Sequence, residues 1–447
     1  MSSPAFAPPP SPAVRRRVVV TGIGAVTPLG LTAPETWDGL VHGRSGIGPI
    51  TRFDAALCSA RIAGEVRGFD PAKPLAAPLY PRGREKDPVL AAFTPKDLKK
   101  FGRFTHLGVS AAVEAYADSG LDGHRATLDS DRMGVNLGVG IGGLPEIEAM
   151  HDTYKAGGFR KISPFLIIQI APNLLSGQTS LLLDLRGPNM SIASACATSG
   201  HALGESAAAI ARGDADVMIA GGAESTVSPL AIGAFAQMRA LSTRNDAPEK
   251  ASRPYDANRD GFVLSEGAVV FVLEDHEHAL RRGARIYAEL RGYGASADAY
   301  HLSSLAEGAE GSQRSMRRAL ITAGLKPTDI DFVSAHATST PGGDGEEAAA
   351  IATVFAENKS HLRVSATKSM VGHLLGGAGA MGAFAAVLAI RDGVVPPTIN
   401  LDQIDPAIAA LGLNIAANQA VRTPVRAALA NSFGFGGTNA SIVVAQI

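Results

Sequence analysis

The sequence of 447 residues has little cysteine and almost no net charge. Its two cysteines, Cys58 and Cys196, exclude a disulfide-rich scaffold and are typical of a protein from a reducing compartment. Its 41 basic and 42 acidic residues leave a formal net charge of −1. This balance excludes a general electrostatic attraction to nucleic acid or to a membrane surface, so any acidic partner must bind a local basic patch.

Aromatic residues are also scarce, with 16 Phe, 7 Tyr and 1 Trp, whereas glycine is abundant at 50 residues. This composition predicts a core of aliphatic side chains with many tight turns. Because 46% of the residues are apolar and 19% are charged, a disordered or fibrous chain is excluded. The longest apolar stretch, residues 376–390, is too short to span a bilayer, so we expect a cytoplasmic protein without a transmembrane segment.

Short β-branched runs alternate with alanine-rich helical segments from Arg17 onward. This alternation predicts an α/β fold whose central strands are covered by helices on both faces. Residues 1–16 are rich in Pro and Ser and predict a disordered tail. An organelle-targeting role for this tail is the weaker alternative, because the tail is short and has no amphipathic helical repeat.

An internal similarity predicts two related halves, residues 17–275 and 276–447. The sequence GHALG at 200–204 returns as GHLLG at 372–376, an offset of 172, and a second match follows at an offset of 173. Similar offsets at separate places favour a duplication. The first offset aligns Lys368 with Cys196, so two facing helix N-termini are expected to bring both groups into one central site.

The segment SACATSGH at 194–201 carries the strongest chemical signal. It follows an extended stretch and precedes an alanine-rich helix, which places the thiol of Cys196 at a helix N-terminus. There the helix dipole favours a thiolate, and free N–H groups can stabilise an oxyanion. The alternative is that Cys196 is a small buried apolar residue, which is also the interpretation for Cys58.

Two histidines, His336 and His373, lie in loops rich in Gly, Ser and Thr that follow predicted strands. A single histidine in such a loop is more often structural than catalytic. Together with Cys196, however, the two histidines form a set that suits thioester chemistry, with a thiolate nucleophile and two neutral imidazoles that donate to a developing anion.

Three other patterns suggest cofactor or metal sites but fail on spacing or context. Residues 256–261 copy the start of a calcium loop, but Gly267 stands where a bidentate Glu is needed. The glycines at 138–143 lack the spacing of a dinucleotide-binding turn. The charged residues at 274–278 fit a solvated helix start better than a metal site. We therefore expect neither metal catalysis nor a bound cofactor.

Six segments together resemble the condensing enzymes of the thiolase fold, and specifically the elongating beta-ketoacyl-[acyl carrier protein] synthases of the synthase II type. They are VVVTGIGAVTPLG, SACATSGH, RPYDANRDGFVLSEGA, AHATSTPGGD, TKSMVGHLLGGAGA and NSFGFGGTN, and the similarity runs from about residue 17 to residue 447. The resemblance implies a duplicated αβαβα fold of five layers, usually in a homodimer, whose substrates are carried on the phosphopantetheine of an acyl carrier protein.

The resemblance also assigns a role to each matching residue. Cys196 would be the acylated nucleophile, His336 and His373 would stabilise the enolate, and Lys368 would order the site. The other implied roles are supporting acids (Glu347 and Asp344), oxyanion hole and gate (the N–H groups of Cys196 and Phe435, with Phe433), pantetheine binding (Thr338 and Thr340), acyl pocket (Ile141 and Phe235) and carrier docking (Lys96, Lys99, Lys100, Arg160, Lys161 and Arg239). The spacing of Lys96, Lys99 and Lys100 is that of one helical face.

Three positions depart from the family pattern: Ala337, Val371 and Gly382. Gly382 stands where a Glu is usual, which leaves the partner of Lys368 open. The implied activity is decarboxylative condensation of an acyl-enzyme with malonyl carrier protein in fatty-acid elongation. A polyketide-type ketosynthase and a non-catalytic partner subunit are the alternatives, and the preferred acyl chain length stays open.

Overall fold

The computed structural model describes residues 15–81, 84, 86–302 and 307–447, so nearly all of the predicted tail at 1–16 lies outside the described residues. The strands are β1 (Val18–Val26), β2 (Ile47–Pro49), β3 (Ile62–Gly64), β4 (Pro74–Leu79), β5 (Val89–Ala91), β6 (Met133–Val139), β7 (Asn189–Met190), β8 (Val217–Glu224), β9 (Gly267–Asp275), β10 (Ala288–Ala297), β11 (Phe332–Ser334), β12 (Arg363–Ser365), β13 (Val394–Val395), β14 (Asn414–Ile415), β15 (Val421–Arg422), β16 (Ala427–Gly434) and β17 (Thr438–Ala445).

The helices alternate with these strands. They are α1 (Ala33–Val41), α2 (Arg103–Asp118), α3 (Leu144–Gly157), α4 (Leu166–Ile170), α5 (Leu174–Leu183), α6 (Thr198–Arg212), α7 (Pro229–Gln237), α8 (His276–Arg281), α9 (Glu310–Ala323), α10 (Gly343–Val354), α11 (Lys368–Val371), α12 (Ala378–Asp392) and α13 (Pro406–Ala409). Short 3-10 turns precede several of them, including Ala195–Ala197 before α6 and Leu375–Gly377 before α12.

The main sheet repeats one strand pattern in two halves. Its order is β14-β12-β11-β16-β17-β10-β1-β9-β8-β6-β7, with β1 and β10 pairing at the centre. Outward from the centre, β1, β9 and β8 are antiparallel, and β6 and β7 continue parallel to β8. On the other side β10, β17 and β16 are antiparallel, and β11 and β12 continue parallel to β16. The predicted duplication is therefore confirmed.

Helices complete five layers. On one side α2 packs on β1 and β9, with α5 beside it; on the other α9 packs on β10 and β17, with α10 beside it. Between the two half-sheets, α6 contacts α12. The window Leu375–Asp392 is long and apolar enough to cross a membrane by length and composition, yet 89% of it is buried inside the protein. It is therefore the core helix of the central layer, and the fold is the predicted αβαβα arrangement.

The offset of 172 that indicated the duplication does not align the two halves correctly at the candidate site. The turn before α6 starts at residue 195 and the turn before α12 at residue 375, an offset of 180. Their first residues, Ala195 and Leu375, share a left-handed backbone, with φ of 49° and 43°. Gly376, not Lys368, is therefore the counterpart of Cys196. The matching GHxLG letters misled because they lie within α6 in the first half but end inside the turn before α12 in the second.

Glycines let a helix lie directly on each central strand. A Cβ at Gly24 of β1 would lie 2.0 Å from the carbonyl oxygen of Ala111 in α2. In the second half, a Cβ at Gly294 of β10 would lie 2.0 Å from the carbonyl oxygen of Ser315 in α9. Such distances are far below van der Waals contact, so a larger residue at either position must push the helix off the sheet.

We expect Gly24→Ala to destabilise the protein by about 1–3 kcal/mol, the usual cost of overpacking a core. The matched control is Gly177→Ala within α5, where nothing lies within 4 Å of the added Cβ. Alanine there should change stability by no more than about 1 kcal/mol, in the stabilising direction. Thermal unfolding followed by circular dichroism at one scan rate compares the two variants. Equal melting curves would contradict the close approach of α2 to β1.

Candidate active site

Cys196 lies in a single 3-10 turn directly before α6 and is 9% exposed. The residue before it, Ala195, has a φ of 49°, a conformation that non-glycine residues adopt at a cost of about 1–2 kcal/mol. Hydrogen bonds hold this turn, because Ser194 N donates to Thr198 Oγ1 at 2.8 Å and Ser194 Oγ lies 2.7 Å from His201 Nδ1. The fold thus fixes the thiol at the buried N-terminus of the helix.

The structure places Cys196, His373, His336 and Lys368 in one group. Cys196 Sγ lies 3.0 Å from His373 Nε2. The rings of His373 and His336 meet edge to face, with centroids 5.4 Å apart. Lys368 Nζ lies 3.4 Å from His336 Nδ1 and also donates to the His336 carbonyl oxygen. The first half of the duplication supplies the thiol, and the second half supplies the other three groups.

Lys368 fixes which nitrogen of His336 carries the proton. An ammonium group only donates hydrogen bonds, so His336 Nδ1 must accept and Nε2 must carry the hydrogen. Burial, with the nearby Lys368 charge, also holds the pKa of His336 well below its usual value. His336 is therefore a neutral imidazole whose Nε2–H is available as a donor.

Burial lowers the pKa of Lys368 to about 8, whereas the charges of Glu347, Cys196 and Asp344 act in the opposite direction. The ammonium form therefore prevails at neutral pH. Gly382 has no side chain that could pair with Lys368, and a Cβ at that position would lie 3.5 Å from Ser334 Oγ. The partner that Lys368 uses is the His336 residue, through both its ring and its carbonyl oxygen.

The expectation of a thiolate at rest was wrong. Burial raises the pKa of the Cys196 thiol to about 11, although the charge of Lys368 and the Phe435 N–H group lower it. Loss of solvent around the sulfur outweighs the favourable end of the helix. The thiol is therefore protonated before substrate binds. His373 is the base within reach, since burial keeps its pKa well below the usual value and the ring neutral.

The predicted oxyanion hole has its two backbone groups at the sulfur. The N–H groups of Phe435 and of Cys196 both act on the thiol. Gly434 allows this approach, because a Cβ there would lie 2.8 Å from the Ser194 carbonyl oxygen and 3.1 Å from Cys196 N. The Phe435 side chain is 40% exposed, whereas Phe433 is buried with its ring centroid 5.8 Å from that of His336. Their gating roles stay predictions.

Glu347 supports the loop of His336 rather than pairing with Lys368. Its oxygens accept hydrogen bonds from His336 N at 2.8 Å, Ala337 N at 2.6 Å and Asn431 Nδ2 at 3.1 Å. Among the described residues, no ion pair within 4 Å joins it to Lys368. The charge of Glu347 acts on the lysine only from a distance.

Asp344 supports the same loop at its other end. Its carboxylate accepts from Ser339 N at 2.9 Å and Tyr255 N at 3.0 Å. Ser339 has a φ of 72°, and the hydroxyls on either side of it, Thr338 Oγ1 and Thr340 Oγ1, lie 3.1 Å apart. The loop therefore presents both threonines on one side, where the pantetheine role predicted for them stays a prediction.

An apolar cluster surrounds the thiol. Phe262 lies edge to face on His373, with centroids 5.4 Å apart, and on Phe235 at 5.3 Å. Ile141, the other predicted pocket residue, lies outside the cluster and is 43% exposed. The sequence pattern had not singled out Phe262, because it becomes a neighbour of Cys196 only through the fold. The buried members are Ala60, Ala63, Cys196, Val227, Ala231, Ile232, Leu241, Phe262, Leu264 and Leu375.

Most of the predicted docking residues are exposed, but they do not form a helical face. Lys99 and Lys100 lie in the 3-10 turn Leu98–Lys100, and Lys100 pairs with Asp97 at 2.7 Å. A connected path joins the basic segments: Gln169 of α4 donates to the Lys99 carbonyl oxygen, and α3 contacts α4, α7 and the turn Phe159–Lys161. The exposed residues are Lys96, Lys99, Arg160, Lys161 and Arg239.

In the segment 256–261, which copies the start of a calcium loop, the carboxylate of Asp256 is bound by hydrogen-bond donors of the protein. Asp256 accepts from Arg253 Nε at 2.9 Å and Asn258 N at 2.8 Å, and its other oxygen accepts from the backbone N–H groups of Asp402 and Gln403. In the part of the chain that the structure describes, no cluster of three or more His, Cys, Asp or Glu could hold a metal ion.

Two similar proteins align with nearly the whole chain. The 3-oxoacyl-[acyl-carrier-protein] synthase 2 of Coxiella burnetii is 46% identical over 433 residues, which is 97% of this chain and 99% of that protein. The protein of the same name from Vibrio harveyi is 44% identical over 434 residues, again 97% and 99% of the two chains.

Solved structures of similar proteins also match nearly the whole chain. The ishigamide ketosynthase/chain length factor has a TM-score of 0.84 at 35% identity, and a beta-ketoacyl synthase from Burkholderia phymatum has 0.84 at 33%. Each comparison covers 97% of this chain and 100% of the other. The family models for the N-terminal and C-terminal domains of beta-ketoacyl synthases match residues 15–279 and 287–402. With its cysteine and two histidines gathered in one buried group, the chain belongs to the beta-ketoacyl synthase family.

Proposed function

We propose that this protein condenses an acyl group held on Cys196 with malonyl-[acyl carrier protein] in fatty-acid elongation. The products are 3-oxoacyl-[acyl carrier protein], carbon dioxide and free carrier. One observation carries the proposal: the thiol lies 3.0 Å from a neutral histidine, beside a second histidine whose donor nitrogen is set by Lys368. Relatives at 41–46% identity that are named 3-oxoacyl-[acyl-carrier-protein] synthase 2 support it.

In the first step, an acyl group passes from carrier to enzyme. His373 Nε2 takes the proton of Cys196, and the sulfur attacks the thioester carbonyl carbon. The negative oxygen is stabilised by the N–H groups of Cys196 and Phe435. The C–S bond to the carrier then breaks, and the carrier sulfur leaves with the proton that His373 held. This route needs a base because the thiol is protonated at rest.

In the second step, malonyl carrier protein loses carbon dioxide. The bond to the carboxylate breaks, and its electron pair forms an enolate whose oxygen accepts from His336 Nε2–H. His373 is the second predicted donor. The first step leaves its hydrogen on Nδ1, so it donates from Nε2 once proton exchange with solvent has placed the hydrogen there. The enolate carbon then attacks the acyl carbonyl carbon on Cys196, and a new C–C bond forms. The C–S bond to Cys196 breaks, and the thiolate that leaves takes a proton from solvent. The apolar cluster around the thiol suits an aliphatic acyl chain.

The carrier protein is the proposed partner, and the connected basic segments support its docking. Among similar structures is a type II PKS acyl-carrier protein in complex with its ketosynthase, at 30% identity and a TM-score of 0.85. Acyl carriers are acidic, so exposed Lys99, Arg160, Lys161 and Arg239 would attract them near the acyl pocket. The substrates bring their own phosphopantetheine, and no separate cofactor is part of the proposal.

We also propose a homodimer that works in the cytoplasm. Among the described residues, strand β7 is the last of the main sheet, and both Asn189 and Met190 are exposed there. A strand with one unpaired edge is a template for another strand. Leu181 and Ile167, in the neighbouring helices, are 76% and 69% exposed. A second copy that pairs along β7 would cover this edge and these side chains.

A polyketide-type ketosynthase is the second candidate, because the similar solved structures include a type II PKS ketosynthase at 30% identity. The level of identity to the synthase 2 proteins favours fatty-acid elongation. Mass spectrometry of the acyl chains retained on Cys196, after exposure to carriers of graded chain length, separates the two.

We expect Cys196→Gln to lose condensation while keeping or increasing malonyl decarboxylation. A glutamine amide imitates the acylated cysteine and leaves both histidines in place, so the enolate still forms. Carbon dioxide release from malonyl carrier protein and 3-oxoacyl product formation measure the two steps. Cys58→Ser is the matched control, since it removes the other cysteine, and both activities should stay at the wild-type level. A folded Cys196→Gln protein without decarboxylation would refute the two-step scheme.

In the Cys196→Gln protein, decarboxylation should fall as the pH rises past the pKa of Lys368, which is about 8 in the wild type. Lys368 is charged below that pKa and neutral above it. The neutral amine no longer forces the hydrogen of His336 onto Nε2, so an oxyanion donor is lost. Adding Lys368→Met should lower the rate roughly a hundredfold at pH 7, the usual effect of one such donor.

The pH profile distinguishes this role of Lys368 from simple packing. The double variant should be slow and should lack the decline near pH 8, because the titrating group is gone. A decline that survives Lys368→Met would show that another group titrates. Circular dichroism checks that both proteins are folded over the pH range.

Charge reversal at Lys99 and Arg239 should raise the KM for acyl carrier substrates about tenfold and weaken its salt dependence, because both residues are exposed cations of the docking surface. Reaction with a small acyl thioester should change little. Arg317→Glu on α9, an exposed arginine of the opposite outer layer, is the control. Equal loss with both substrates would indicate damaged chemistry and contradict the docking surface.

A further inference from the structure

A buried carboxylate that the proposed chemistry does not use lies close to the thiol. Glu224 ends strand β8 and is fully buried. Its two oxygens accept hydrogen bonds from four backbone N–H groups: Gly140 at 3.0 Å, Ile141 at 3.1 Å, Gly142 at 3.1 Å and Gly376 at 3.2 Å. One side chain thus joins two loops that are far apart in the sequence.

Both loops belong to the candidate site. The first follows β6 and carries Ile141, a predicted pocket residue. The second is the turn Leu375–Gly377, which begins two residues after His373 and contributes Leu375 to the apolar cluster. The loops touch each other, because a Cβ at Gly376 would lie 2.4 Å from Gly140 N. A shift of either loop would therefore move the other and reach the histidine.

The duplication allows the contact between Glu224 and Gly376 N–H to be compared with the site around Cys196. Gly376 is the counterpart of Cys196, whose own N–H group is predicted to bind the substrate oxyanion. In the second half of the chain the corresponding N–H group, that of Gly376, already donates to a carboxylate of the protein, that of Glu224. The space that holds a transient anion in one half holds a permanent carboxylate in the other.

A second parallel comes from Glu347. Strands β6 and β11 hold equivalent places in the two half-sheets, and a buried glutamate binds successive N–H groups of the loop after each. Glu347 binds those of His336 and Ala337, and Glu224 binds those of residues 140–142. In the second half, this arrangement fixes a histidine of the site. In the first half, it fixes the predicted acyl-pocket residue.

We infer that Glu224 is a positioning residue that sets acyl-chain selectivity by tying the turn of Ile141 to the turn that follows His373. The inference rests on the proposed function for the substrate, an acyl thioester. The geometry on which it depends is independent of that function: four backbone donors on one buried carboxylate, with glycines at 140 and 376 that leave it room. A Cβ at Gly140 would lie 2.6 Å from Glu224 Oε2.

The charge of Glu224 supplies a second, separate effect. Burial raises the pKa of Glu224 to about 7, against the four N–H groups that lower it. Its negative charge raises the pKa of Cys196, whereas Lys368 and the N–H groups of Phe435 and Cys196 lower it. His373 also contacts the sulfur but is held neutral. Removing the charge should therefore make the thiol easier to ionise, which loss of packing alone would not do.

The experiment compares Glu224→Gln and Glu224→Asp with Glu114→Gln in the full-length protein. Glu114 is a matched control, because it also accepts two backbone N–H groups, at 2.8 Å each, and its pKa is also raised by burial to about 7. It lies on α2, in the outer layer. Alkylation of Cys196 by iodoacetamide is measured against pH, and acyl transfer from thioesters of graded length is measured by mass spectrometry.

Glu224→Gln should alkylate faster than the wild type at pH 8, because loss of the neighbouring negative charge lowers the pKa of Cys196. Glu224→Asp keeps the charge and should alkylate like the wild type. Both variants should change the ratio of long-chain to short-chain acylation by about tenfold, the effect of about 1.4 kcal/mol. The amide nitrogen of Gln cannot accept a hydrogen bond from a backbone N–H group, and the shorter Asp does not reach all four donors. Glu114→Gln should change neither measurement.

A folded Glu224→Gln protein with the wild-type alkylation profile and chain ratio would overturn the inference, as would an equal effect of Glu114→Gln. If Glu224→Gln does not fold, Glu224→Asp decides, and an unchanged chain ratio overturns the inference. Alkylation requires no condensation. A wild-type protein that alkylates but never condenses would therefore refute the proposed function and leave the alkylation test of Glu224 valid.

Discussion

The site depends on ionisable groups that are buried where the two halves of the chain meet. A buried charge is costly unless the protein supplies hydrogen bonds in place of water. Each group here satisfies that constraint in its own way: Lys368 donates to the His336 residue, Glu347 accepts from the backbone, and the Cys196 thiol keeps its proton. Protonation states and loop positions thus both follow from burial, which also keeps His336 and His373 neutral.

The duplication explains why such a site can exist. Helices α6 and α12 meet in the central layer, and each is preceded by a turn whose first residue has a left-handed backbone. The N–H groups of Cys196 and Gly376 are buried donors without a helix carbonyl, and such donors at a helix N-terminus favour an anionic partner. In one half the partner is supplied from within, by Glu224, and in the other it is left for the reacting thioester. Sequence divergence between equivalent turns, Cys196 in one and Gly376 in the other, separates the reacting half from the supporting half.

Much of this was predictable from sequence, and the exceptions share a physical reason. The small residues around Cys196 placed it before a helix, and family motifs identified the histidines, because these are local patterns. The state of the thiol was missed, since desolvation depends on side chains from distant segments such as Phe262 and Leu375. The resemblance named Glu347 only as a supporting acid, because its hydrogen bonds to the backbone N–H groups of His336 and Ala337 leave no mark in the sequence. The lysines at 99 and 100 were expected on a helical face, but they occupy a 3-10 turn of three residues.

The same burial explains why a cysteine this hard to ionise still suits the reaction. The apolar cluster raises the pKa of Cys196 to about 11, yet it also surrounds the carbon chain that the sulfur must hold. An exposed thiolate would avoid the first effect, but it would leave the acyl chain in water at a cost of roughly 0.8 kcal/mol for each methylene group. A protonated thiol beside His373 avoids both costs, because the charge exists only while the thioester is attacked. Once Cys196 is acylated, the sulfur carries no charge, and the apolar surroundings stabilise the intermediate rather than oppose it.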